Sequence, residues 1–449
     1  MPDRDRQALV EWDRSFYLHG HHGPLGSDEL AIYESGQGIC IRDVDGREYI
    51  DGHSGLWNVT LGHGRRELAE AAAAQMMQLA YSSTYKARAN VPALELAARL
   101  DQIAYANLQA TFFTTSGADA NEAAFKTARY YWRRRGRGTK VRIIARQHGY
   151  HGVTMGAMSA TGIDAFWKMF GPLDPHFSHV VAPYAYRFEG ARPGESVGLA
   201  AARALEEEIL RLGPDTIAAV IAEPVQGAGG VIVPPDDYFP GVRAICDAYD
   251  VLLIADEVIT GFGRTGQWFA LTHWQVTPDI MTFAKGVTSG YLPLGGMMVS
   301  EAIASAFARA PAEESWMHAS TYSGHPVCCA VALKTLDILA KERLVERAAT
   351  LGEYLLKRLE TLTDLEWVGE VRGLGLMAAV ELVADRQTRG RFPSERKVGE
   401  RIREEAKRRG LIHGLRGDTL NVAPPFVVTE PEIDRIVAIL REAIQAVLT

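Results

Sequence analysis

From about residue 110 to 300 the chain alternates short, apolar, β-rich runs with segments of helical periodicity. The runs are TFFTTS, VRIIAR, HVVAP, IAAVIAEP, VLLIADEV, IMTFAK and LGGMMVS. Between them, 199–212 places Leu199, Ala202, Leu205, Ile209 and Leu212 along one side of a helix, and 237–249 reads likewise. Such alternation predicts a mainly parallel sheet with helices on its faces, because parallel strands need a crossover between them. The last part of the chain changes character. Charged helices are predicted near 327–340, 343–362, 395–409 and 430–447, separated by short strands in GLGLMAAVEL and DTLNVAPPF. Residues 32–51 alternate in the manner of a hairpin around the turn Asp45-Gly46. They are expected to join the C-terminal segment.

At 449 residues the chain exceeds one ordinary core, so a large and a small domain fit. The expected division is 56–324 as a large α/β domain, with 1–55 and 325–449 as two parts of a smaller α+β domain. A composition of 47% hydrophobic and 23% charged residues, with no long uncharged stretch, is that of a globular protein and excludes a membrane-spanning helix. The segment MPDRDRQALVEWDRSF carries acids and lacks an apolar signal core, so a cytoplasmic protein with no membrane partner is expected. A net charge of −7 gives no footprint for nucleic acid. The one dense basic cluster, WRRRGRGTK at 132–140, reads as a solvated helix end and loop. Cys40, Cys246, Cys328 and Cys329 lack a C-x-x-C pair and read as reduced, buried thiols rather than a disulfide framework or zinc site. His19, His21 and His22 in LHGHHG lack an acid or Cys at ligand spacing, so a glycine-rich loop is expected there and no metal.

The chemistry is concentrated in one lysine. The chain has 10 Lys against 38 Arg, and between Lys168 and Lys334 only Lys285 occurs. It stands in TFAKGVTSGYLPLGG, 29 positions after Asp256 at the end of VLLIAD. Small residues surround it, which suits a backbone turning close to a ligand. An amine that condenses with an aldehyde, and a carboxylate that keeps a pyridine nitrogen protonated, are what pyridoxal phosphate chemistry requires. Arginine cannot replace the lysine, since it stays protonated.

Four further motifs fall where a phosphorylated aromatic cofactor would need them. In SGADANEAAFKTARYYW a strand passes through small residues into a helix, and the amides of Gly117 and Ala118 can bind phosphate. HGYHG sets Tyr150 where its ring can lie on a flat cofactor. EPVQG puts Glu223 at a strand end, in the same layer as Asp256, where ligands gather in an open α/β sheet. STYSGHP offers the Thr321 hydroxyl and amide. GFGRTG at 261–266 matches a dinucleotide-binding spelling, but that fingerprint belongs to the first βα unit, and this one lies deep in the chain.

Together SGADANEA, GYHG, EPVQGAGG, ADEVITGFGRTG, TFAKG and TYSGHP resemble the class III pyridoxal-phosphate aminotransferases in order and spacing, over nearly the whole chain. LWNVTLGHGRRELAEAA and GLRGDTLNVAPPF look most like the ω-amino acid:pyruvate and amine transaminases. The resemblance implies a fold type I transferase of α/β class, with a mainly parallel sheet in its large domain. Lys285 would hold the cofactor covalently and shuttle the proton, and Asp256 would pair with the pyridinium. Glu223 would support the cofactor, and Tyr150 and Val258 would sandwich its ring. Gly117, Ala118 and Thr321 would hold the phosphate, Thr321 from a partner subunit. The pocket walls implied are Leu56, Trp57, Tyr150, Ile259 and, from the neighbour, Tyr85 and Ala228. Arg416 would swing in to pair with a keto-acid carboxylate and swing out for an amine. A homodimer or dimer of dimers with shared sites follows. Relatives commonly carry Ser at the place of Ala118, and often an aromatic at that of Ser320, so weaker cofactor retention is expected.

The activity implied is transfer of an amino group from a primary amine or ω-amino acid to pyruvate, S-selective, in a ping-pong cycle through pyridoxamine phosphate. Lys285 and Asp256 would serve an aminomutase or a dialkylglycine-type decarboxylase equally well. From other classes, a non-catalytic binding protein on this fold and a nicotinamide oxidoreductase using GFGRTG are the alternatives.

Overall fold

The computed structural model describes residues 6–20 and 30–449. Its centre is a seven-stranded sheet in the order Leu108–Thr114, Gly295–Ser300, Ile280–Phe283, Leu252–Asp256, Ile217–Ala222, Arg142–Arg146, Phe177–Val180. Each apolar run of the sequence supplies one strand. The last five run parallel, and Gly295–Ser300 is antiparallel to both of its neighbours.

Alternate residues of these strands feed two different cores, as the two-residue period of a strand demands. Ile143, Ile221, Ile254, Ile280 and Val299 pack on one face, against Ala124, Phe125, Ala128 and Trp132 of the helix Gly117–Arg134. Ile144, Val220, Leu253, Met281 and Met298 pack on the other face. There they join Leu205 and Ile209 of the helix Val197–Leu212 and Phe239 and Val242 of Tyr238–Ala248. Burial on both faces explains why the central runs read as unbroken apolar sequence.

Two four-stranded sheets complete the molecule. One is an antiparallel meander, Tyr33–Gln37, Cys40–Asp43 and Glu48–Asp51, whose last strand pairs in parallel with Leu411–Ile412. The hairpin expected over 32–51 is thus three strands rather than two, because a second tight turn lies between Gln37 and Cys40. The other sheet has the order Val368–Gly373, Ala378–Leu382, Thr419–Val422, Gly414–Arg416, all antiparallel. Val368–Gly373 has no counterpart among the expected strands: it is an edge, mostly half-buried, with a glycine near each end. The helices Pro326–Lys341, Leu344–Glu360, Val398–Arg408 and Glu430–Leu448 fall close to their expected bounds.

The basic cluster needs a correction. Arg137 is on the surface, paired with Asp215 and Asp250, but Lys140 is buried and donates from Nζ to the carbonyls of Pro214, Ile217, Tyr249 and Asp250. Four oxygens from converging loop and strand ends replace its water. Cys246, Cys328 and Cys329 are buried and Cys40 half-buried, all unpaired. His19 contacts Asp13 at 2.8 Å, while His21 and His22 lie outside the described residues. Among the described residues no helix is long and apolar enough to cross a membrane.

Candidate active site

A cavity of about 480 Å³ opens at the C-terminal edge of the parallel strands. Its wall is built by the segments that leave those strands. Gly117 and Ala118 follow Leu108–Thr114, Tyr150 follows Arg142–Arg146, and Glu223 follows Ile217–Ala222. Asp256 ends its own strand, with Val258 and Ile259 just beyond, and Lys285 comes two residues after Phe283. Eight of the residues singled out in the sequence therefore face one space.

Asp256 is the best-anchored of them. Its Oδ2 accepts hydrogen bonds from Asn121 Nδ2 at 2.8 Å and contacts His151 Nδ1 at 2.7 Å, and its Oδ1 accepts from the Val258 amide at 3.1 Å. Asn121 is itself held, donating to the His151 carbonyl and accepting from Thr282 Oγ1, both at 2.8 Å. A carboxylate fixed at both oxygens presents its charge in one direction. Glu223 is fixed in the same way: Oε1 accepts from the Tyr150 amide at 2.9 Å and Oε2 from the Gly227 amide at 3.1 Å.

Lys285 opens a short 3₁₀ turn with φ of 46°, the left-handed region that costs a non-glycine residue energy. Among the described residues no hydrogen bond engages its Nζ. Desolvation pulls the ammonium below its usual range, opposed by Asp256 and Glu223. Burial likewise pushes Glu223 up to about 7, and Tyr150 above the usual phenol range, where Asp256 and Glu223 add to the effect. An amine that sheds its proton readily beside a fixed carboxylate is equipped to attack a carbonyl carbon and then to carry a proton.

The other end of the cavity suits an anion. Ser116 caps the helix Gly117–Arg134, its Oγ accepting from the Asp119 amide at 3.2 Å. The amides of Gly117 and Ala118, in the first turn, have no partner within the helix. Residue 117 must be glycine, because a Cβ there would lie 2.7 Å from Val258 Cγ1. An unpartnered amine, a fixed buried carboxylate, an aromatic and a branched side chain, and a helix N-terminus together form the donor set that a phosphorylated pyridine aldehyde requires.

Other expected residues do not reach this cavity. Leu56 and Tyr85 are largely exposed, Trp57 is buried, and Ala228 and Arg416 are half-buried outside the cavity wall. Thr321 is exposed, its carbonyl accepting from Tyr81 OH at 2.9 Å. Burial pulls the Arg416 guanidinium below its usual range, Asp164 opposing and Arg391 adding to it. Conversely, the cavity is lined by residues that the motifs include but that spelling left without a role, Asn121 in SGADANEA and His151 in HGYHG, and also by Asn58 and Tyr291. The signal for Asn121 is its position, one helical turn after Gly117 and on the same face.

The model of the family described as aminotransferase class-III matches residues 24–444. The putrescine–pyruvate aminotransferase of Pseudomonas aeruginosa is 40% identical over 432 residues, covering 94% of each chain. Among solved structures, a thermostable (S)-enantioselective omega-transaminase from Thermomicrobium roseum is 47% identical with a TM-score of 0.95, over 99% of this chain and 100% of that one. A transaminase from the marine bacterium Virgibacillus is 42% identical with a TM-score of 0.92, over 98% and 99%.

Proposed function

The chain belongs to the pyridoxal-phosphate-dependent class-III aminotransferases, and from that premise we propose that it moves an amino group from a primary amine or ω-amino acid to pyruvate, with S-selectivity. The observation that carries the cofactor chemistry is the pairing of a desolvated Lys285 amine with an Asp256 carboxylate locked by Asn121, His151 and Val258, and membership of the aminotransferase family favours amino transfer over the other reactions this pair could serve. The names of the relatives from Pseudomonas aeruginosa and Thermomicrobium roseum support the acceptor and the handedness.

When bound, pyridoxal phosphate would supply the electron sink and the aldehyde that a ping-pong amino transfer requires. Lys285 would bind it through Nζ and would later hold at that atom the proton taken from the substrate carbon. Asp256 keeps the pyridine nitrogen protonated, and its three anchors keep it from turning away. Tyr150 and Val258 would orient the ring, Glu223 fixes the Tyr150 loop, and Gly117 and Ala118 would receive the phosphate. Ile259 lines the cavity, Leu56 and Trp57 would extend its apolar wall outside it, and Arg416 would swing in from outside the cavity to pair with the carboxylate of the keto acid. Thr321, Tyr85 and Ala228 serve the site of a second copy, so the working unit is a homodimer or a dimer of dimers. Their exposure or partial exposure supports this. A cytoplasmic location belongs to the same proposal, and four unpaired thiols suit a reducing compartment.

The test is to mix the purified yellow protein with S-1-phenylethylamine, follow its visible absorbance, then add pyruvate and assay alanine. Bleaching restored by pyruvate, with alanine formed and no carbon dioxide, supports the reading. Bleaching only with β-alanine or taurine narrows the donor to ω-amino acids, and a protein that stays colourless with added cofactor removes Lys285 from its role.

A further inference from the structure

Trp57 and Arg416 come from distant parts of the chain, yet one buried side chain, His53, touches both Trp57 and the strand that carries Arg416. Trp57 ends the turn Ser54–Trp57, in which Ser54, Gly55 and Trp57 have φ of 50°, 62° and 66°. Two of these are not glycine, so the turn is strained and persists only because its surroundings fix it. Asp51 accepts from the amides of His53 at 3.3 Å and Gly55 at 2.7 Å. Ser54 Oγ donates to the Ala423 carbonyl at 2.6 Å and accepts from Arg264 at 3.0 Å.

His53, just before this turn, packs its ring against the Trp57 indole, with centroids 4.5 Å apart and planes at 65°. The same ring also lies against Gly414, the first residue of the strand that ends in Arg416. A Cβ at 414 would lie 2.3 Å from His53 Cε1 and 2.7 Å from Nδ1, so the imidazole fills the space that a side chain at 414 would take. His53 is 8% exposed and its Nδ1 has no partner. Burial pushes it down to about 3, Asp51 opposing and His413 and Arg264 adding to the effect. A neutral, close-packed ring thus touches both supports without adding charge beside the site.

We propose that His53 is a positioning residue for substrate selection, its ring spacing the Trp57 indole against the Arg416 strand so that the apolar wall and the carboxylate-binding arginine move together. This rests on the amine:pyruvate reading above. Mere packing would predict lost stability alone; a spacer predicts that a change on the Arg416 side is felt on the Trp57 side.

The experiment is a double-mutant cycle on the holoenzyme with Gly414→Ala, His53→Ala and the pair, read by melting temperature and by each half-reaction separately. The added methyl should displace the ring, slowing both the S-1-phenylethylamine and the pyruvate half-reactions by on the order of ten- to a hundredfold at subsaturating substrate. His53→Ala makes room for that methyl, so the double variant should be faster than Gly414→Ala alone in both half-reactions. His53→Asn, which keeps a neutral polar side chain, should retain more activity than His53→Ala. Additive melting-temperature changes would overturn the contact. Non-additive melting temperatures with additive rate changes, or a Gly414→Ala effect confined to pyruvate, would overturn the spacing role. A wild-type protein inert towards both substrates would instead defeat the proposed function, and this inference with it.

Discussion

Asn121→Ala should damage both folding and cofactor binding, although Asn121 is neither the lysine nor the carboxylate. Asn121 is buried and makes three hydrogen bonds: to Asp256, to the His151 carbonyl and from Thr282, each at 2.8 Å. A hydrogen bond to a charged group contributes about 1.5–3 kcal/mol and each neutral one about 1 kcal/mol, so truncation should cost about 3–5 kcal/mol. The measurement is the urea midpoint of the cofactor-free protein. Asp256 keeps His151 and Val258 as partners, so it stays in place but less firmly held. Cofactor affinity should therefore fall by on the order of tenfold to a hundredfold, about 1.4–2.8 kcal/mol, read by equilibrium titration of the visible absorbance. Asn121→Asp preserves volume but sets a second carboxylate within bonding distance of Asp256; the two must share a proton, and retention of cofactor should weaken as pH rises. A stability change below about 1 kcal/mol, with affinity unchanged, would refute the view that Asp256 is positioned by this network.

Lys285→Arg should abolish turnover while leaving the protein folded, because arginine keeps its proton; alanine formation well above background would remove Lys285 from the chemistry. Glu223 is raised from 4.5 to about 7 by burial, so the stability it contributes is full below about 4.5 and is lost as pH rises through 7. That gap corresponds to on the order of 3 kcal/mol, and Glu223→Gln should lessen the decline in the urea midpoint of the cofactor-free protein across this range by about that amount, while buried Glu257 and Glu381, also pushed up to about 7, keep their share. Ala118→Ser adds a hydroxyl at the helix N-terminus and should slow cofactor loss on dialysis several-fold, about 0.5–1.5 kcal/mol; full activity of the parent protein after dilution and dialysis without added cofactor would show that nothing was missing.

The central strands were readable because burial on both faces leaves only one kind of residue in them, and the site because five of these strands end in chemically distinctive loops at the same edge. What stayed hidden depends on convergence. Asn121 and His151 sit in motifs that were recognised, but only folding brings both of them to one oxygen of Asp256. Lys140 spells as one more cation in a basic run, and four carbonyls from separate loop and strand ends make it a core residue. GFGRTG shows the same limit from the other side. Discounting it as a dinucleotide loop left its glycines without a purpose, and the purpose is Arg264. Its guanidinium is fully buried, donating to the carbonyls of Leu376 and Pro424 and to Ser54 Oγ. The loop must come close to reach them: a Cβ at Gly266 would lie 2.7 Å from the Cβ of Ala349. A segment that follows the Asp256 strand thus anchors the strained turn carrying Trp57, which ties the cofactor edge of the sheet to the proposed substrate wall. No spacing rule announces such a tie, because its acceptors lie 112, 160 and 210 residues from the arginine along the chain.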